Sequence, residues 1–176
     1  KTSTRFKNEI KKSIESQYDQ QSDQKFLDDV TKKLIEEVKF DLPRKFLIKW
    51  LQKRDEKEIS LENATEQFEK SEKGLRYQLI EEEIINHNNL KVEEKEIKEF
   101  AKKIFLRQFG QISKKDNNQE IEQMVERILR NEEERKRIIE QVKTGKLLKF
   151  FKENVKFKSK KLSYDSFIKI AYPTTQ

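Results

Sequence analysis

The chain has 176 residues, of which 41% are charged and only 33% hydrophobic, and it carries a net charge of +7. It contains no cysteine, which excludes disulfides and thiolate metal sites, and no apolar run approaches the roughly 20 residues of a membrane span. Three glycines and two prolines beside abundant Lys, Glu, Ile, Leu and Gln point to a few long helices, and the low apolar fraction points to one elongated domain rather than a compact ball.

The charge is unevenly placed. Between Lys146 and Lys161 seven lysines face a single acid, Glu153, for a local charge of +6, so the rest of the chain is close to neutral. The chain opens at Lys1 with no methionine and no signal peptide, which reads as a fragment of something longer.

A first helix is expected from about Ser3, or Thr4, which can cap it, to Lys39. Phe6, Ile10, Ile14 and Tyr18 make one stripe, and Leu27, Val30, Leu34 and Val38 another, both at helical spacing. The polar run DQQSDQK between them predicts two packed ends with an exposed centre, or a bend. Pro43 sits where the next helix starts, since a proline in the first turn lacks only an N–H that would be unpaired there anyway. It also biases Leu42 toward extended backbone. Phe40-Asp41-Leu42 is therefore a tight corner and 44–54 a short second helix, whose Phe46, Leu47, Trp50 and Leu51 form one broad face expected to pack inward, the only tryptophan included.

A third helix begins at Ser60, carries Leu61, Ala64, Phe68, Leu75 and Leu79 on one stripe and Tyr77, Ile80 and Ile84 on a second, and stops at His87-Asn88-Asn89. A fourth, about Val92 to Phe109, places Ile97, Phe100, Ala101, Ile104, Phe105 and Phe109 on one side, with Gly110 as a natural stop. Residues 113–119, SKKDNNQ, read as a loop, and 120–129 as a short helix bearing Ile121, Met124, Val125, Ile128 and Leu129. Asn131 is positioned to cap a long sixth helix to Val155 that carries Ile138, Ile139, Val142, Leu148, Phe151 and Val155, with Gly145 inside it. LSYDSFIKIAY, from Leu162 to Tyr172, is a last short helix capped by Ser163. No stretch alternates at period two, so the expected class is all-α, without a sheet.

Catalytic chemistry is hard to place. His87 is the only histidine and closes a helix, where it compensates the dipole. It has no evident second metal ligand. The triplets Glu81-Glu82-Glu83 and Glu132-Glu133-Glu134 do not converge, because adjacent helical residues point in different directions. There is no glycine-rich phosphate loop and no nucleophile motif. The reading is a non-enzyme without catalytic residues, cofactor or metal. The lysine stretch is either a solvated face or a phosphate-binding surface. Twelve phenylalanines must mostly be core, with a remainder free to line an open apolar groove.

Three segments carry a family resemblance. SDQKFLDDVTKKLIEEVKFDLPRKFLIKWL, GLRYQLIEEEIINHNNLKVEEKEIKEFAKKIF and VKFKSKKLSYDSF together resemble the C-terminal domain of bacterial trigger factor: a long helix ending in an apolar-Asp-apolar-Pro corner, a helix closed by an Asn-rich turn before Val and two acids, and a closing turn with a short helix. The resemblance spans nearly the whole chain and rests on the order of packing and turn signatures rather than on one motif. It implies an ATP-independent, ribosome-associated chaperone of the cytoplasm, linked to protein folding and cell division. Its body and protruding helical arms would form a cradle for nascent or unfolded polypeptides. The ribosome-docking domain and the FKBP-type domain that isomerises X-Pro bonds would both lie outside residues 1–176. Candidate polypeptide-contacting residues are Trp50, Phe68, Tyr77, Ile80, Ile84, Phe100, Ile104, Phe105 and Phe109. Apolar grooves of this kind also allow a homodimer, and no membrane partner is expected. The competing readings are a basic nucleic-acid or ribosomal-RNA-binding module and a structural helical spacer or dimer.

Overall fold

A computed structural model of the chain describes residues 2–54, 57–109 and 118–172. Among these the secondary structure is entirely helical: α1 Thr2–Glu37, α2 Arg44–Lys53, α3 Leu61–His87, α4 Glu94–Phe109, α5 Asn118–Arg130, α6 Glu132–Asn154 and α7 Tyr164–Ala171. The chain divides into two compact units, one of Lys1–Glu81 with Lys156–Gln176 and the other of Glu82–Val155. The expected loop over 113–119 and the Gly110 stop lie outside the described residues, apart from the start of α5.

Local chemistry sets the helix ends. The Asn131 side chain accepts from the backbone N–H groups of Glu133 and Glu134 at 3.0 and 3.1 Å, and Glu132, Glu133 and Glu134 fill the first turn of α6, where negative charge opposes the positive end of the helix dipole. Ser60 Oγ accepts from Asn63 N–H and Ser163 Oγ from Ser166 N–H, each capping a helix start. Glu93 N–H donates to Glu96 Oε2 at 2.8 Å, the back-bonding half of a capping box. At the other end of α3, Asn89 has φ 54° and Leu90 N–H returns to the Ile85 carbonyl, so the asparagine turn closes the helix as a Schellman motif.

In the first unit α1 runs unbroken through its polar middle, over about 54 Å at the usual rise. Its packing starts at Tyr18, whose ring meets Tyr164, and deepens along the second half, where Val30 is buried and Leu27 and Leu34 are half-buried. Phe6, Ile10 and Ile14 are exposed, which corrects the expectation that both ends are covered; among the described residues no apolar stripe of the unit buries them. Pro43 is the residue before α2, with φ −71°, and its carbonyl accepts from Leu47 N–H. The corner is held from α3. Arg76 donates to the Phe40 carbonyl at 2.7 Å, its guanidinium lies 5.2 Å from the centre of the Phe40 ring, and Glu72 engages the same guanidinium from one turn back.

The face of α2 is rotated from the one expected. Leu47, Ile48 and Leu51 are half-buried, whereas Phe46 and Trp50 are 65% and 50% exposed. Arg44 takes up the contact with α3, its guanidinium 5.2 Å from the centre of the buried Phe68 ring and its side chain paired with Glu69. The corner thus positions α2 without burying its largest side chains.

The second unit has the clearest core. Ile97 and Ala101 of α4, Ile121, Val125 and Leu129 of α5, and Ile138 and Val142 of α6 form one buried cluster. Each set repeats every four residues, which keeps it on one helix face. Fully burying such an aliphatic side chain contributes about 1.5–3 kcal/mol. Polar contacts close the rim. Arg135 makes a two-pronged contact with Glu94 at 3.2 and 2.7 Å, and Lys146 Nζ reaches both oxygens of Glu96 at 2.8 and 2.7 Å and the Lys91 carbonyl at 2.8 Å. Lys146 also explains a shift along α6. The position four beyond Val142 is this cation, so the buried row resumes at Leu147 in place of the expected Leu148, which is half-buried, and continues at the expected Phe151, while Val155 is exposed.

Three outcomes follow for chemical and thermal unfolding. An added methyl group at Gly145 meets no heavy atom within 4 Å, so Gly145→Ala raises stability by about 1 kcal/mol, read as a higher denaturant midpoint at unchanged slope. Arg76→Ala removes the hydrogen bond and the ring contact at the corner and lowers stability by about 1–2 kcal/mol; Arg76→Lys restores only part, because lysine lacks the planar fork. The Glu96 carboxyl is held below the usual glutamate range, first by the Lys146 hydrogen bond and next by the Glu93 N–H. A lowered carboxylate stabilises the fold above its unfolded pKa of about 4.3, and that contribution vanishes as pH falls through the lower native value. Glu96→Gln therefore costs roughly 1 kcal/mol at neutral pH, a modest figure because the pair is partly solvated, and the difference from wild type shrinks on acidification below about pH 4.

Candidate polypeptide-binding surface

Twelve phenylalanines in so polar a chain must either be buried or be left on the surface, and the structure separates the two groups. Nine residues were singled out from sequence, and among the eight whose side chains are described Trp50 alone is exposed. Its ring lies under the Arg54 guanidinium at 5.6 Å, a cation–π contact, and the side chain is still 50% exposed. Tyr77, Ile84 and Ile104 are half-buried. Phe100 and Phe105 are also half-buried and pack against the core of the second unit. Phe68 and Ile80 are buried, at 2% and 6% exposure; they support the surface from beneath and offer no contact face of their own. Phe109 ends α4, and its side chain lies outside the description.

Sequence reasoning assigned several exposed side chains to the core. Phe6, Ile10 and Ile14 form an uncovered row on α1, flanked by Lys7, Lys11 and Glu15. Phe46 precedes Trp50 by one helical turn and shares its exposure. Met124 on α5 is exposed in the second unit, and so is Leu106 on α4, which the sequence had left off the helix's apolar side. The helical period predicts which side chains share a face, but it does not say whether a partner covers that face, so no sequence signal separated these residues from buried ones.

A second feature was visible in the sequence only as a basic run and a closing turn. Residues 156–163, between α6 and α7, form a strap laid against α1. Phe157 packs on Phe26 with ring centres 4.9 Å apart, and Tyr164 at the start of α7 stacks on Tyr18 at 5.3 Å and 25°. Beneath the strap is an open groove of about 240 Å³ lined by Tyr18, Asp19, Gln21, Ser22, Lys160, Leu162, Tyr164 and Phe167. The basic stretch is consequently split. Lys146 is engaged by Glu96 in the second unit, whereas Lys156, Lys158, Lys160 and Lys161 are exposed on the strap.

Among the described residues no group of three or more His, Asp or Glu side chains is placed to hold a metal ion. Nor is any of their helices long and apolar enough to cross a membrane. His87 is exposed at the last turn of α3.

No curated protein and no solved structure matches this chain. A family model does match, over residues 22–171, and its description is "Probable trigger factor, C-terminal domain". The matched span takes in the proline corner, the Arg76 contact that holds it, the asparagine turn after α3 and the strap with α7, and the chain belongs to the trigger factor C-terminal domain family.

Proposed function

We propose that this chain is an ATP-independent chaperone module that holds apolar segments of unfolded or nascent polypeptides. The observation that carries the reading is the set of large apolar side chains left in solvent on well-formed helices: Phe6, Ile10 and Ile14 on α1, Phe46 and Trp50 on α2, Leu106 and Met124 in the second unit. Each is a small patch bordered by charge. Dispersed patches of this kind bind many apolar sequences weakly and release them again, and charged rims keep the holder soluble while they are open. Family membership supports a chaperone-related module. Association with the ribosome through a separate domain, residence in the cytoplasm, a homodimer and the lack of a catalytic step all belong to this same reading. Of the residues named from sequence, Trp50 is the one best placed for direct contact, with Tyr77, Ile84, Phe100, Ile104 and Phe105 reachable at half-buried edges and Phe68 and Ile80 contributing through packing.

Trp50 is the only tryptophan and half of it is exposed, so it reports on its own occupancy. Titration with a reduced, unfolded client shifts Trp50 emission to the blue, and stoichiometric chain suppresses aggregation of that client. Phe46→Ser with Trp50→Ser weakens the suppression several-fold while stability stays within about 0.5 kcal/mol, as exposed positions allow. A chain that gives no protection and no change at Trp50 sinks the proposal.

A further inference from the structure

Four lysines, Lys156, Lys158, Lys160 and Lys161, lie on the strap within six residues, with no acid among them, and all are exposed. A charge run of this sort is commonly a solvated tail, but this one is fastened. The Phe157–Phe26 and Tyr164–Tyr18 ring contacts clasp it to α1 at either end, so the ammonium groups are displayed from a held segment rather than from a free one. Ordering them on binding therefore costs less entropy than ordering a loose chain.

The aromatic rings that clasp the strap are not consumed by it. Phe157 is 52% exposed and Tyr164 47%. Lys160 lines the same groove as Tyr18 and Tyr164. Lysines that neutralise phosphates beside open aromatic faces that stack bases are the two elements of sequence-tolerant binding to single-stranded nucleic acid. A duplex would engage the lysines and leave the rings unused, because its bases are already stacked. An acidic peptide would leave them equally unused. Asp19 lines the groove together with Lys160, and Asp165 stands in the first turn of α7, so part of the positive charge is offset and the interaction is weak and strongly salt-dependent.

We propose that the strap, with the exposed aromatic rings beside it, binds single-stranded nucleic acid without sequence preference. This activity is separate from the holding of polypeptides.

The test is fluorescence anisotropy of a labelled oligouridylate of roughly ten nucleotides, a length within the range of such sites, titrated with the full chain across a salt series. Binding tightens at low salt, and the logarithm of affinity falls linearly with the logarithm of salt. The triple variant Lys158→Ala/Lys160→Ala/Lys161→Ala loses affinity and lowers that slope by about 2, near 0.7 for each lysine. Tyr164→Leu weakens binding at unchanged slope, the signature of lost stacking. Oligothymidylate binds comparably, since nothing on the strap reads a 2′-hydroxyl. All these positions are exposed, and circular dichroism confirms that the variants keep their helices. Absent binding at low salt overturns the proposal, and so does a triple variant with the wild-type slope. A duplex or polyglutamate that competes as well as the single strand overturns the role of the rings.

Discussion

Apolar side chains are too scarce in this chain to cover every face of its helices, and the rest of the structure follows from how they are distributed. One third of the residues are hydrophobic. The second unit concentrates its share into a cluster shared by α4, α5 and α6. The first unit spreads its share more thinly, so α1 is packed along its second half, while Phe6, Ile10 and Ile14 are left in water. Hydrophobic burial is non-directional and scales with area removed from water. A stripe with no partner therefore stays exposed however regular its spacing, and those uncovered stripes are what the proposed chaperone activity uses.

Where apolar area is lacking, directional contacts set the geometry. Arg76 ties the Phe40 carbonyl and ring to α3, and Arg44 lies on Phe68 where an apolar side chain of α2 was expected. In the second unit Lys146 joins α6 to Glu96 and to the Lys91 carbonyl. An arginine or lysine can do this because its stem covers apolar surface while its charged head remains partly wet. Among the described residues no polar or charged side chain is fully buried, so these ties avoid the desolvation cost of an interior ion pair. They fix direction and register rather than supplying most of the stability.

Much of the fold was legible in local sequence. The caps at Ser60, Asn131 and Ser163, the proline before α2 and the asparagine turn after α3 all act within a few residues, through hydrogen bonds to neighbouring backbone. The helix ends followed within two or three residues of their observed positions, and the same local signals carried the resemblance that the family match supports. The candidate surface was less legible. Trp50 was marked both as packing and as a contact residue and is exposed, Phe68 and Ile80 were marked as contacts and are buried, and the row at Phe6 was assigned to the core. Each of these depends on which helix lies opposite, and no spacing within one helix encodes that.

The strap shows the same division. Its lysines were evident as a charge run, yet three of the seven belong to α6, where Lys146 is tied down, and four to a segment laid on α1. By itself the sequence determined the all-α class, the order and ends of the helices, the proline corner and the absence of thiol chemistry, because these arise from chain-local hydrogen bonding, backbone sterics and composition. Only the tertiary structure decided which apolar stripes are covered, that arginine side chains rather than tryptophan join the corner to α3, and that the basic run meets exposed aromatic rings, because those contacts connect residues tens or more than a hundred positions apart and depend on packing between helices.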